Sequence, residues 1–149
     1  MFRKLGLGLA AVLVAATLAG AGLAAEINKT LLGNAIEGFD PVAYHLQAMP
    51  VEGSSDFTHD WGGATWRFAS AENRDLFAAN PEKYAPAYGG YCAYGVTQDA
   101  LVGIDPDAWS IVNGTLYLNY SKDVQKTWEQ DIPGYLKIAD EKWPALAGE

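Results

Sequence analysis

The fold class of this chain is decided by residues 110–118, Ser-Ile-Val-Asn-Gly-Thr-Leu-Tyr-Leu. Asn113-Gly114 separates two short runs of residues that favour β-strands. An Asn-Gly pair is typical of a two-residue type I′ turn, because both positions of that turn need a positive φ angle. We therefore predict an antiparallel hairpin at this place. Its core face should be formed by apolar residues of both strands, namely Ile111 or Val112 with Leu116 or Leu118.

A second hairpin is predicted nearer the N-terminus. Residues 56–61 and 64–68 both alternate between apolar and polar side chains, which is typical of strands with one buried face. Gly62-Gly63 lies between the two runs and favours a tight turn.

Helix starts are indicated by capping residues. Ser70 and Ser121 each precede a helical pattern, so helices are expected over about 71–79 and 122–130. Asp40-Pro41 and Asp105-Pro106 share an N-cap followed by a proline, which is typical of the first turn of a helix. Residues 88–96 predict a glycine turn that leads into a strand or an extended loop, and the last helix should end near Lys142.

Hairpins interspersed with short helices favour an α+β fold, in which a small antiparallel sheet of hairpins packs with the helices. Without its first 24 residues the chain has the length of a single domain that can bury a sizeable core. A single α+β domain is therefore predicted over residues 25–149.

The N-terminal segment differs in composition from the rest of the chain. Arg3 and Lys4 precede the apolar run from Leu5 to Leu23, and small residues follow up to Ala25. This order is typical of a cleavable signal peptide. We therefore predict a signal peptide over residues 1–24, a periplasmic or secreted mature protein, and no membrane attachment after cleavage.

The charge of the chain limits its partners. The formal net charge is −8 at pH 7, and lysine and arginine form no cluster. Binding to nucleic acid depends on clustered positive charge, so this class is excluded. The expected ligand is therefore a metal ion or a small molecule. A periplasmic protein is expected as a further partner.

Several stretches of the mature chain resemble one known family. They are GFDPVAYH (38–45), GATWRFASAEN (63–73), the run from Asn80 to Val96 that ends in GGYCAYGV, DPDAWSIVNGTLYLNYS (105–121) and DIPGYLKIADEKWP (131–144). Together they resemble the exported branch of the YHS-domain family, which includes selenoproteins. The resemblance implies a small domain related to metal-trafficking and metal-sensing modules. It also implies that the position of Cys92 is occupied by selenocysteine in some members.

Cys92 is the only cysteine, so a disulfide within the chain and a multi-thiolate metal site are both excluded. Thiolate suits Cu(I), and imidazole suits copper or zinc. His45 and His59, the only histidines, are therefore the candidate co-ligands of Cys92 for copper, with Met49 as a soft alternative. Tyr91 and Tyr94 are expected either to line the ligand pocket or to pack in the core. Gly89-Gly90 beside them either allows a ligand to approach the backbone or forms a plain turn.

Three functions remain open from the sequence. The first is a soft-metal carrier or sensor centred on Cys92. The second is a thiol-dependent oxidoreductase in which Cys92 is the nucleophile and cycles through sulfenic acid. The third is a non-catalytic interaction domain whose thiol is buried and inert. No sequence motif of a known enzyme class occurs in the chain, so the balance is against an enzyme.

Overall fold

The computed structural model describes residues 25–149, and the predicted signal peptide lies outside these residues. The described chain forms an α+β domain of two hairpins and six α-helices, as predicted. The hairpins are two separate two-stranded antiparallel sheets. Between residues 25 and 149, no helix is long and apolar enough to cross a membrane.

The first hairpin pairs β1 (Ser54–Trp61) with β2 (Ala64–Phe68), as the alternating pattern predicted. The turn at Gly62-Gly63 has φ angles of +64° and +83°, which suit a two-residue hairpin turn. Every second residue of β2 is buried. This hairpin therefore contributes Ala64, Trp66 and Phe68 to the core.

The second hairpin pairs β3 (Asp105–Val112) with β4 (Thr115–Asn119). Asn113 and Gly114 form its turn with φ angles of +50° and +81°, which confirms the predicted positive φ at both positions. Leu116 and Leu118 are fully buried, whereas Ile111 is exposed.

The expected helix start at Asp105-Pro106 is wrong, because these residues open β3 instead. Asp105 pairs with Asn119 across the hairpin. Its carboxylate accepts a hydrogen bond from Asp107 N at 2.9 Å, so it caps a local turn of the chain without starting a helix.

Asp40 begins α1 (Pro41–Leu46) and is completely buried. Its Oδ1 accepts from Val42 N at 2.8 Å, which confirms the predicted N-cap. Its Oδ2 accepts from Ala69 N at 2.9 Å and from Asn73 Nδ2 at 2.8 Å. Asp40 thus joins α1 to the connection between β2 and the next helix.

The remaining helices follow the predicted caps at most places. They are α2 (Ala71–Ala79), α3 (Pro81–Tyr84), α4 (Ala93–Thr97), α5 (Lys122–Glu129) and α6 (Ile132–Leu146). Ser70 and Ser121 cap α2 and α5 as expected. The segment expected as an extended loop contains a 3₁₀ turn, Ala87–Gly90, and then α4.

Helix α6 does not end near Lys142 as predicted but continues through Pro144 to Leu146. Proline removes one helical hydrogen bond, yet Ala147 N still donates to Trp143 O at 2.7 Å. Trp143 and Leu146 pack against a buried cluster formed by Tyr88, Ala93, Val96, Trp128 and Ala139. This packing holds the last turn of α6 against the domain.

Candidate functional site

Cys92 immediately precedes α4 and caps its first turn. Its Sγ accepts hydrogen bonds from Gly95 N at 3.3 Å and from Tyr120 N at 3.2 Å. The thiol lies 3.5 Å from Asn119 Oδ1, to which it donates. Only 1% of the residue is exposed. The side chain is therefore enclosed by its own helix and by the end of β4.

The environment of Cys92 disfavours the thiolate. Burial raises the pKa of the Cys92 thiol, and the N–H donors of Gly95, Tyr120 and Tyr94 act in the opposite direction without cancelling the increase. The thiolate is the form that attacks electrophiles and binds metals. Cys92 is therefore a neutral, enclosed thiol at neutral pH.

The two histidines lie against other parts of the core. His45, at the end of α1, packs edge-on against Tyr84 at 5.5 Å, and its Nε2 lies 3.2 Å from the Tyr84 carbonyl oxygen. Burial lowers the pKa of His45. His59, on β1, packs against Phe77 at 6.1 Å. Within residues 25–149 neither histidine forms a hydrogen bond with Cys92. These residues contain no group of three or more His, Cys, Asp or Glu that could hold a metal.

The side chains of Tyr91 and Tyr94 contact other segments. The Tyr91 hydroxyl donates to Glu26 Oε1 at 3.2 Å, and its ring lies 6.4 Å from that of Trp143. Tyr94 packs edge-on against Tyr135 of α6 at 5.3 Å. The two rings thus attach the Cys92 segment to α6 and to the first described residues.

Gly89 is where the N-terminal segment crosses the 3₁₀ turn. A Cβ atom at Gly89 would collide with the carbonyl oxygen of Glu26, and Asn28 N donates to Gly89 O at 2.9 Å. The group that closely approaches the backbone of Gly89 is therefore the N-terminal segment of the same chain, at Glu26 and Asn28.

A cavity that the sequence analysis missed lies where the first hairpin meets α6. Its volume is about 350 Å³. Four aromatic residues line it, and these are Trp61, Trp66, Tyr88 and Trp143. Glu26 also lines it. The residues come from distant parts of the sequence, and the only available signal was the large number of tryptophans, five in all.

Comparison with known proteins gives one match. Residues 42–88 match the family model of the YHS domain. The matched segment includes His45, His59 and the cavity residues Trp61, Trp66 and Tyr88, whereas Cys92 lies just beyond its end. No curated protein and no solved structure matched the chain significantly. The association of this family with metal binding is consistent with a metal-related role.

Proposed function

We propose that this chain, of which residues 42–88 match the YHS-domain family model, is an exported, non-catalytic binding domain in which Cys92 is a structural thiol. The observation that carries the proposal is the enclosure of Sγ, which is 1% exposed and takes part in three hydrogen bonds. A thiol in this setting caps a helix and fills the core.

The enclosure argues against thiol catalysis. An oxidoreductase that cycles through sulfenic acid needs a thiolate that peroxide and an external reductant can reach. Cys92 has a raised pKa and almost no exposed surface. Both properties slow attack on an electrophile.

The same geometry argues against copper bound directly at Cys92. Binding with His45 or His59 would require Sγ to lose its proton, which burial disfavours. The histidines would also have to leave Tyr84 and Phe77. Copper at Cys92 stays a prediction, and a metal-related role through other residues is compatible with the proposal.

Thiol alkylation of the native protein tests the proposal. The matched control carries Cys92→Ala with Ser55→Cys, which moves the single thiol to an exposed position on β1. We expect Cys92 to react at least about 100-fold more slowly than the control thiol, because reaction requires local opening. Both proteins should react at similar rates in denaturant.

Cu(I) titration followed by alkylation separates the alternatives. We expect Cu(I) to leave the slow alkylation rate of Cys92 unchanged. If the native thiol reacts as fast as the exposed control, the proposal of a structural thiol is wrong. If one equivalent of Cu(I) is bound and this binding is lost in Cys92→Ser, the metal-centred function is correct instead.

A further inference from the structure

The cavity between the first hairpin and α6 has the chemistry of a cation-binding site. We propose that it binds a small organic cation with a methylated ammonium group. The inference rests on the proposed function, because it names the ligand class of the binding domain. It places the ligand against the half-buried Trp61 and Trp143, with the buried Trp66 and Tyr88 completing the lining, and leaves Cys92 outside the site.

The aromatic walls are held in place before any ligand arrives. The rings of Trp61 and Trp66 are 6.0 Å apart, and Trp66 Nε1 donates to the Trp61 carbonyl oxygen at 3.1 Å. Elsewhere in the lining, Tyr88 and Trp143 pack edge-to-face at 5.9 Å. Fixed indole and phenol faces attract cations through the ring quadrupole, and tryptophan does so most strongly.

The charges around the cavity also favour a cation. Among the described residues that line it there is no lysine, arginine or histidine side chain, and Glu26 is the carboxylate. The predicted mature N-terminus at Ala25 would add one α-ammonium at the edge of this lining. The Tyr88 hydroxyl donates to Asp140 Oδ1 at 2.8 Å, which places a second carboxylate behind this wall. The chain as a whole carries a formal charge of −8.

The lining favours an organic cation over a metal ion. Most of the lining is aromatic or aliphatic, and Glu26 alone cannot supply the several oxygen ligands that a hard metal ion requires. A volume of about 350 Å³ lies within the range of small-molecule sites. A compact trimethylammonium group combines positive charge with an apolar surface, so it fits both features.

Choline and its uncharged isostere 3,3-dimethylbutan-1-ol provide the test. The two differ mainly in the charge of the central atom of the head group. Each is titrated into the mature chain as recovered from cells, with tryptophan fluorescence and calorimetry as readouts. We expect choline to bind at least about tenfold more tightly than the isostere, because cation–π attraction acts on choline alone.

Four variants locate the site. Glu26→Gln keeps an acceptor for the Tyr91 hydroxyl but removes the charge, and should weaken choline binding severalfold without changing binding of the isostere. Glu129→Gln changes an exposed carboxylate on α5 and should leave both affinities unchanged. Trp61→Leu should abolish the preference for choline, whereas Trp61→Phe should retain part of it.

Three outcomes would overturn the inference. They are binding of the isostere as tightly as choline, failure of both probes to bind, and equal effects of Glu26→Gln and Glu129→Gln. None of them changes the alkylation rate of Cys92. Failure of the cation site is therefore distinguishable from failure of the structural-thiol proposal.

Discussion

Asn119 Oδ1 lies 3.5 Å from Cys92 Sγ and accepts the backbone N–H of Tyr94 at 3.1 Å. The last residue of β4 thus caps α4 together with the thiol that begins this helix. Asn119 is fully buried. The pair explains how the segment around Cys92 is fixed although its helix has only five residues.

We expect Asn119→Ala to lower the free energy of unfolding by about 1–3 kcal/mol, because the part-buried N–H of Tyr94 would lose its acceptor. Urea denaturation measures the change. Asn80→Ala is the control, since Asn80 is exposed and its side chain makes no cap hydrogen bond within the described residues. Equal losses in the two variants would contradict the capping role of Asn119.

Gly114→Val should lower the free energy of unfolding by more than about 1 kcal/mol. The φ angle of Gly114 is +81°, which a β-branched residue adopts only with strain. A Cβ there would meet no atom of the described chain within 4 Å, so strain would be the whole effect. Gly103→Val, where the described surroundings are equally open and φ is not positive, should cost less in the same thermal or urea experiment. A neutral Gly114→Val would contradict the strain at this turn.

Stability should fall at mildly acidic pH because of His45. Burial lowers the pKa of the folded-state imidazole below its ordinary value of 6.5. The stability contributed by neutral His45 is therefore present above about pH 6.5 and is lost as the pH falls through the lowered pKa. Urea midpoints from pH 7.5 to 5 measure this decrease. We expect it to shrink in His45→Gln and to persist in His59→Gln. An unchanged profile in His45→Gln would assign the decrease to other groups.

The predicted export is tested by the mass of the protein recovered from its native host. We expect the mature chain to begin near Ala25 or Glu26, because the small residues before Ala25 suit a signal peptidase. Fractionation should place it outside the cytoplasm. An intact chain beginning with Met1 in the membrane fraction would contradict cleavage.

Local chemistry explains which features were predictable from the sequence. The turn at Asn113-Gly114 and the cap at Asp40 depend on residues that are adjacent in the chain. Asp105-Pro106 has the same local pattern as Asp40-Pro41, yet it forms the start of β3. Pairing of Asp105 with Asn119 across the hairpin overrides the local preference, and a sequence pattern does not reveal such pairing.

The candidate site was less predictable because it depends on long-range packing. The sequence identifies Cys92 as the only thiol but does not tell whether Asn119 and Tyr120 cover it. The aromatic cavity likewise requires Trp143 of α6 to meet Trp61 of β1. The burial of Cys92, and with it the raised pKa of its thiol, depends on contacts with residues that are distant in the sequence.

Gly89→Ala tests whether the crossing of the N-terminal segment stabilises the domain. The φ angle of Gly89 is +61°, and a Cβ would strike the Glu26 carbonyl oxygen, which belongs to backbone and cannot swing aside. Gly63→Ala is a close control, because φ there is +83° but a Cβ would meet no described atom within 4 Å. Both variants carry the strain of a positive φ, about 1–2 kcal/mol.

Only Gly89→Ala adds the collision, so its loss of unfolding free energy should exceed that of Gly63→Ala by at least about 1 kcal/mol. Hydrogen exchange should locate the effect. The amide of Asn28, which donates to Gly89 O, should exchange faster in Gly89→Ala than in the control. Choline binding should weaken in the same variant, since Glu26 and Ile27 line the cavity beside Gly89. Equal stability and equal exchange in the two variants would mean that the N-terminal segment is not held by this contact.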